Sequence, residues 1–472
     1  MKLIINILLL LVLINISLQA AENDIVKSLP DYSYRGRLYS GYLQAGSVKF
    51  FHYMFNLAHE DPDHKPLVLW FNGGPGCSSL DGWSSEHGPM QMNEKGNYTT
   101  NEYSWHRAAN MLYIESPGGV GFSYIDSKLD YELEINDDIA AKDNLNALLD
   151  FFKKFPSFKG RDFYISGESY AGIYVPTLAY EVIMYNKGVS ESNKINLKGI
   201  LVGNGVADWD YDTTNAMLDF AFTHHLTSYE SRLEFNKYCI MEFNYSDCER
   251  IVYEIENWLE NVNIYDYLRE CETPTTEDGE INYFSSYFLK APWAFKHLKE
   301  KQEMMKNKKP NKNINKNNIK ERINPPCIDD TNMYNYFNRD DVKSALHVKM
   351  DKEWELCSYD INTRYERLDK GSIWTYPTII SSGIRVLIFN EDTDMSVLYS
   401  GNQAWIKNLK LEIEKPWRQW RAYDDPDNVS GYVINYKGLT FCTIKGTGHM
   451  APQWKPKESF YMFSKFINSE DF

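Results

Sequence analysis

Ser169, His449 and an acidic run between them have the residue types and settings that acyl-transfer chemistry requires. Ser169 lies in Gly167-Glu-Ser-Tyr-Ala-Gly172, directly after the apolar run Phe163–Ser166 and before a helix-like stretch. Small residues around a serine between strand and helix permit a sharp turn that exposes the hydroxyl. A free hydroxyl is a poor nucleophile near neutral pH unless a base takes its proton. Taken alone, the stretch also fits a turn with a capping serine, and Ala171 stands where the simplest such turn has glycine. His449, in Gly446-Thr-Gly-His-Met-Ala-Pro452, offers the base. A carboxylate to orient it can come from Phe389-Asn-Glu-Asp-Thr-Asp394, a strand-like run ending in three acidic residues. A lone histidine is usually structural and a lone strand-end Asp usually a cap, so only the joint pattern carries weight. A fourth stretch, Leu67-Val-Leu-Trp-Phe-Asn-Gly-Gly-Pro-Gly-Cys-Ser-Ser79, can present backbone N–H groups to a developing oxyanion. Phosphate cradling is the rival use of such a loop, but no Gly-Lys-Ser/Thr follows.

These residues need a scaffold that delivers each on a loop after a strand. Short β-type runs recur at 48–57, 67–71, 111–115, 163–166, 199–202, 386–389 and 439–444. Most are continuously apolar, which suits strands covered on both faces, and helical patterns such as 143–154 alternate with them. The expectation is an α/β fold with a central, mostly parallel sheet and helices on both faces. The chain order Ser…Asp…His is that of the α/β hydrolases. Regularity fails over 208–336, which carries cysteines, aromatics and helix-like segments and reads as a largely helical insertion subdomain in one catalytic domain, 21–472. Within it, 299–320 is dominated by Lys and Asn and reads as an exposed, protease-sensitive loop.

Composition bounds the setting. The 472 residues are 43% apolar, which excludes a disordered chain, and the net charge of −15 argues against nucleic acid or an anionic membrane surface as partner. Lys2, the apolar run 3–16 and small residues before Glu22 describe a secretory signal peptide, residues 1–20, cleaved near Ala20. The run is too short for a membrane span. Seven cysteines in an exported chain favour disulfides with one left over, and sequence alone leaves the pairing open. Cys239 and Cys248 are near enough for a local loop. Cys442, in an apolar run, is the candidate free thiol. Asn97, Asn244 and Asn428 head glycosylation sequons. The His224-His225 pair lacks further ligands, so neither metal nor cofactor is expected.

The chain resembles the serine carboxypeptidases. The resemblance rests on Trp70-Phe-Asn-Gly-Gly-Pro-Gly-Cys-Ser-Ser-Leu80, Ser116-Pro-Gly-Gly-Val-Gly-Phe-Ser-Tyr124, Gly167–Gly172 and Gly446–Pro452. Weaker likeness at Tyr39–Leu43, Gly203-Asn-Gly205 and Asp341–Leu346 extends it over the mature chain. It implies Ser169 as nucleophile, His449 as general base and acid, and Asp394, rather than Asp392, as the orienting carboxylate. It implies Gly74 and Tyr170 as oxyanion donors, and Trp70, Asn72, Glu86 and Glu168 as the holders of the substrate's terminal carboxylate. Two glutamates facing a third carboxylate cannot all ionise in a desolvated cleft, so binding should weaken as pH rises past about 6–7. The resemblance also implies the pairs Cys77–Cys357, Cys239–Cys248 and Cys271–Cys327, with Cys442 free. The last pair brackets 299–320, so cleavage there would leave two linked chains.

Two departures stand out. Glu391 replaces the Gly that opens the family's acidic motif, where it either disturbs His449 or turns to solvent. Pro117-Gly-Gly119 has a Gly where Ala is usual, a harmless change. The activity implied is removal of C-terminal residues from peptides and proteins at acidic pH through an acyl-enzyme. Acyl transfer to an alcohol uses the same residues, and a non-catalytic stabilising or binding role on the scaffold is the rival from another class. Expected partners are peptide and protein C-termini, with a homodimer admitted. The expected location is the secretory pathway, ending in a lysosome or vacuole or outside the cell.

Overall fold

The computed structural model describes residues 21–34, 36–93, 95–126, 134–209, 211, 214–241, 245–259, 261–271, 325 and 327–471. Residues 1–20, expected to be a signal peptide, Asn244 and residues 299–320 lie outside the described residues. An eleven-stranded sheet organises the rest. Its strands are β1 (Leu38–Gln44), β2 (Lys49–Asn56), β3 (Leu67–Phe71), β6 (Asn110–Ile114), β7 (Tyr124–Ile125), β8 (Phe163–Glu168), β9 (Leu197–Gly203), β10 (Arg385–Glu391), β11 (Ile413–Trp420), β12 (Gly431–Tyr436) and β13 (Leu439–Ile444). A separate hairpin pairs β4 (Met90–Met92) with β5 (Tyr98–Thr100). Across the main sheet the order is β1-β2-β6-β3-β8-β9-β10-β13-β12-β11, with β7 beside β2.

The six central strands from β6 to β13 pair in parallel, and antiparallel strands flank them on both sides. In β3, β6 and β8 every residue is buried, the outcome that continuously apolar runs predict for strands covered on both faces. One face holds Phe55, Leu69, Ile165 and Val386. The other holds Trp70, Tyr164, Leu201 and Phe389. The apolar runs do not include the edge strand β11. It carries Pro416 and is exposed over most of its length, the permitted place for proline in a sheet.

Two helices matter most for the site. Helix α1 (Asp137–Lys154) begins six residues before the periodic stretch, because the Asn136 side chain caps it, accepting from Ile139 N at 3.0 Å. Asp137 and Asp138 in the first turn and Lys153 and Lys154 in the last complement its dipole. Helix α2 (Ala171–Lys187) contains Pro176, which cannot donate to the carbonyl one turn back. That carbonyl, Gly172 O, instead accepts from the buried Ser372 hydroxyl at 2.6 Å.

Within 208–336 lie helices α3 (Thr214–Thr223), α4 (Tyr229–Phe235) and α5 (Tyr245–Trp258). Phe220, Phe235, Ile251, Leu259 and Ile264 form a small core that closes on Met395 and Leu398 of the main body. The later stretch 331–337 packs Met333, Tyr336 and Phe337 into the main core. Among the described residues, no helix is long and apolar enough to cross a membrane.

Candidate active site

The sheet's parallel strands end along one edge, and the chemistry collects there. Ser169 follows β8 and precedes α2 with φ of +77°, a left-handed conformation for a residue with a side chain. Its backbone is held by neighbours: Ser169 N donates to Gly203 O at 3.1 Å, and Val206 N donates to Ser169 O at 3.0 Å. The flanking glycines have spatial reasons. A Cβ on Gly167 would lie 2.5 Å from Phe71 O, and one on Gly172 would lie 2.3 Å from Val206 O. The elbow is thus wedged between β3 and the loop after β9. Among the described residues the Ser169 hydroxyl has no hydrogen-bond partner.

Asp394 lies on the loop after β10 and is fully buried. Its carboxylate accepts from Ser396 N at 2.7 Å and Val397 N at 3.3 Å, and pairs with His449 Nδ1 at 2.7 Å. Nδ1–H then donates to Asp394, which leaves Nε2 as the ring's acceptor. Burial pushes the Asp394 carboxyl up, while His449 and the two backbone N–H groups pull it down. Asp392 plays another part, its Oδ1 accepting from Gly446 N at 2.6 Å and so tying down the histidine loop.

Asn204, in the weakly family-like Gly203-Asn-Gly205, joins these parts. Its Oδ1 accepts from Glu391 N and from Asn390 Nδ2, and its Nδ2 donates to His449 O at 3.1 Å. A residue whose neighbour Gly203 also holds Ser169 N therefore bridges the serine and histidine loops. In sequence its amide side chain marks it only as polar.

The glycine loop after β3 runs against the elbow. A Cβ on Gly73 would fall 2.4 Å from Tyr170 N and 2.7 Å from Ser169 Cβ, so the backbone passes there without side chains. Gly74 and Gly76 have φ of +111° and +100°. The Tyr170 ring is anchored on the other side, its hydroxyl donating to Asp137 Oδ1 at 2.8 Å.

Trp70, Asn72, Glu86 and Glu168 form one buried hydrogen-bonded set beside Ser169. Trp70 Nε1 donates to Asn72 Oδ1 at 2.8 Å, as does Gly82 N at 3.0 Å. Asn72 Nδ2 donates to Glu86 Oε1 at 3.0 Å and Glu168 Oε1 at 2.9 Å. The second Glu86 oxygen is buried and meets no N–H or O–H donor. Burial, then the charge of Asp81, pushes Glu86 up to about 8 despite the Asn72 bond. Burial, then Glu86, Asp81 and a proton-sharing contact with Glu86, holds Glu168 well above the ordinary range. Two carboxyls this close retain a proton between them.

Asp81 escapes sequence reasoning, since an acid after Leu80 reads as surface. Burial raises its carboxyl to about 6, Ser85 and His449 opposing. Glu391 does not turn to solvent: it is the last residue of β10 and fully buried. Neither of its oxygens has a well-formed hydrogen bond, though the Asn204 carboxamide lies near enough to favour the anion weakly. Burial, then the charge of Asp394, holds it well above the ordinary range.

Cys77–Cys357, Cys239–Cys248 and Cys271–Cys327 are bonded, and Cys442 is a buried thiol. Asn97 and Asn428 are exposed. Among the described residues no group of three His, Cys, Asp or Glu is arranged to hold a metal ion.

Residues 30–469 match the family model for serine carboxypeptidases. The chain is 35% identical to the lysosomal protective protein of Mus musculus, over 96% of this chain and 95% of that protein. It is 36% identical to serine carboxypeptidase-like 20 of Arabidopsis thaliana, over 99% of this chain and 97% of that one. Its fold is that of a prohormone-processing carboxypeptidase from Saccharomyces cerevisiae, with a TM-score of 0.71 at 22% identity across 95% of this chain and 96% of that chain. With sequence likeness running through nearly its whole length, the chain belongs to the serine carboxypeptidase family.

Proposed function

We propose that the protein releases C-terminal amino acids from peptides at acidic pH, through an acyl-enzyme on Ser169. In this reading Ser169 Oγ attacks the last peptide carbonyl while His449 Nε2 takes its proton. The tetrahedral oxyanion is met by backbone N–H groups of Gly74 and Tyr170. The C–N bond breaks as Nε2–H returns the proton to the departing amine. Water, activated by the same imidazole, then cleaves the acyl ester and restores Ser169. Asp394 holds the tautomer throughout.

One observation carries the choice of an exopeptidase: the buried Trp70–Asn72–Glu86–Glu168 set, whose last member immediately precedes Ser169. A protonated glutamate there donates to the substrate's terminal carboxylate and fixes the scissile bond one residue away. A simple esterase has no use for such a pair. The mouse relative's name supports a route to an acidic compartment, and exposed Asn97 and Asn428 suit glycans acquired on that route.

The test incubates the protein with N-blocked dipeptides and the matching C-terminal amides at pH 5, beside a Ser169→Ala control. Free acids cleaved much faster than amides, with no turnover by the control, is the expected result. Acyl transfer to an added alcohol without amino-acid release would favour the transferase reading. No turnover by folded protein would return weight to a binding role.

A further inference from the structure

The insertion subdomain reaches the catalytic loops with its backbone. Three of its main-chain groups, in 263–267, bond to the two loops that carry the paired acid and base. Ile264 O accepts from Met395 N at 2.8 Å, and Tyr267 N donates to Thr393 O at 3.2 Å, so Asp394 is bracketed on both sides. Tyr265 O accepts from His449 N itself at 2.7 Å. The approach is close enough that a Cβ on Gly448 would lie 1.9 Å from Tyr265 O. Main-chain bonds to His449 and to both neighbours of Asp394 fix the relative position of the pair independently of their own 2.7 Å contact.

One side chain shapes this segment. Asn263 is 5% exposed. Its Oδ1 accepts from Tyr265 N at 3.0 Å and Asp266 N at 3.3 Å, and its Nδ2 donates to Glu270 O at 3.1 Å. The turn so closed aims the carbonyls of Ile264 and Tyr265 outward at the loops. Its far end is tied down one residue beyond Glu270, by Cys271–Cys327.

We infer that Asn263 is a positioning residue of the reaction, acting through the backbone of 264–267 to hold Asp394 and His449 in register with Ser169. This rests on the triad reading proposed above. No sequence motif points to it, because the groups in contact are peptide carbonyls and an amide in the least family-like part of the chain.

The experiment measures kcat and KM on an N-blocked dipeptide, and the rate at which a phosphonyl fluoride modifies Ser169, for full-length Asn263→Ala, Asn263→Ser and Gly448→Ala. Ser keeps a short acceptor for the same two N–H groups. Displacing the acid–base pair by a fraction of an ångström is expected to lower kcat and phosphonylation by about 10–100-fold in the Ala variant. KM should change far less, since the Trp70–Glu168 set is untouched. The Ser variant should recover part of the loss. Gly448→Ala, which pushes on Tyr265 O, should reproduce the kcat defect, and decides the matter if Asn263→Ala does not fold. A Ser variant no better than Ala, a defect confined to KM, or Gly448→Ala with unchanged kcat would each overturn the inference. Turnover by Ser169→Ala would instead overturn the triad reading on which it stands.

Discussion

At the scale of single residues, the site is unusual for how many carboxyls it keeps out of water. Glu86 and Glu168 share Asn72 and a proton, and Asp81 lies near enough to raise both. Under the proposed function, loss of the shared proton would replace a donor to the substrate carboxylate with a like charge. With Glu86 raised to about 8, KM for a peptide with a free C-terminus should stay level from pH 5 to 7 and climb above pH 8. That window is higher than the 6–7 expected from sequence, because burial raises the pair and Asp81, a partly buried acid that no motif reveals, ionises first near 6 and opposes ionisation of the pair. Michaelis constants measured between pH 5 and 9 decide it, and a KM flat across the range sinks the proton-sharing account. Glu86→Ala separates binding from chemistry. Peptide cleavage should fall steeply while hydrolysis of an activated N-blocked amino-acid ester, which has no terminal carboxylate, continues. Residue type and motif single out Ser169, Asp394 and His449 in the sequence, and the structure pairs the last two at 2.7 Å. Asp81 and Asn204 are not, because their importance lies in which groups surround them.

At the scale of elements, the elbow between β8 and α2 holds a strained serine by wedging the backbone between neighbours. Gly167→Ala would drive a methyl to 2.5 Å from Phe71 O and 2.6 Å from Ala171 Cβ, so the strand end or the helix start must shift. The expected outcome is soluble protein with strongly reduced kcat, since Ser169 moves with either. Ser372→Ala tests the repair of the proline-containing helix: it leaves Gly172 O buried without the hydroxyl, at a cost of about 1–3 kcal/mol. Thermal unfolding should register that loss, and an unchanged midpoint would show the carbonyl satisfied in another way. The same elements show what sequence patterns reach. Continuous apolar runs find β3 and β13 to the residue and the other central strands to within a few, because burial on both faces leaves no polar positions to obscure the signal. Strand β11 escapes, since only Trp420 is buried in Ile413–Trp420 and the rest presents charge and proline to water. The periodic pattern shortens helix α1 because Asp137, Asp138 and Lys142 interrupt the apolar stripe at its start, where capping rather than burial sets the boundary.

At the scale of the whole molecule, the fold withdraws from water acids that the unfolded chain would expose. Asp81, Glu86, Glu168 and Glu391 are all raised, with burial the first cause in each. In the unfolded chain each loses its proton near pH 4, at about the ordinary carboxylate value. In the folded protein each holds it longer, so between those limits the native state binds more protons than the unfolded state. Stability then falls as pH rises, beginning near 4 and continuing through about 6 for Asp81 and about 8 for Glu86. Surface charge adds to the trend, because a net −15 is self-repelling, but most surface acids are already ionised by about pH 5.5 and their repulsion is screened by salt. Buried carboxyls are screened far less. The melting temperature should therefore decline from pH 5 to pH 8, and the decline should persist in about 0.5 M salt, where the Debye length is only a few ångström. Glu391→Gln places the contrast at one site: an amide of the same shape never ionises, so this variant should match the parent at pH 5 and melt higher at pH 8. Glu391 is a sound choice because neither of its oxygens has a good partner to lose. A melting temperature that is level or rises between pH 5 and 8, or a Gln variant that tracks the parent at both, would mean that these acids are ionised in the folded protein. Under the proposed function the two trends run together: the retained protons that would hold a substrate's carboxylate also make the fold firmest at acidic pH.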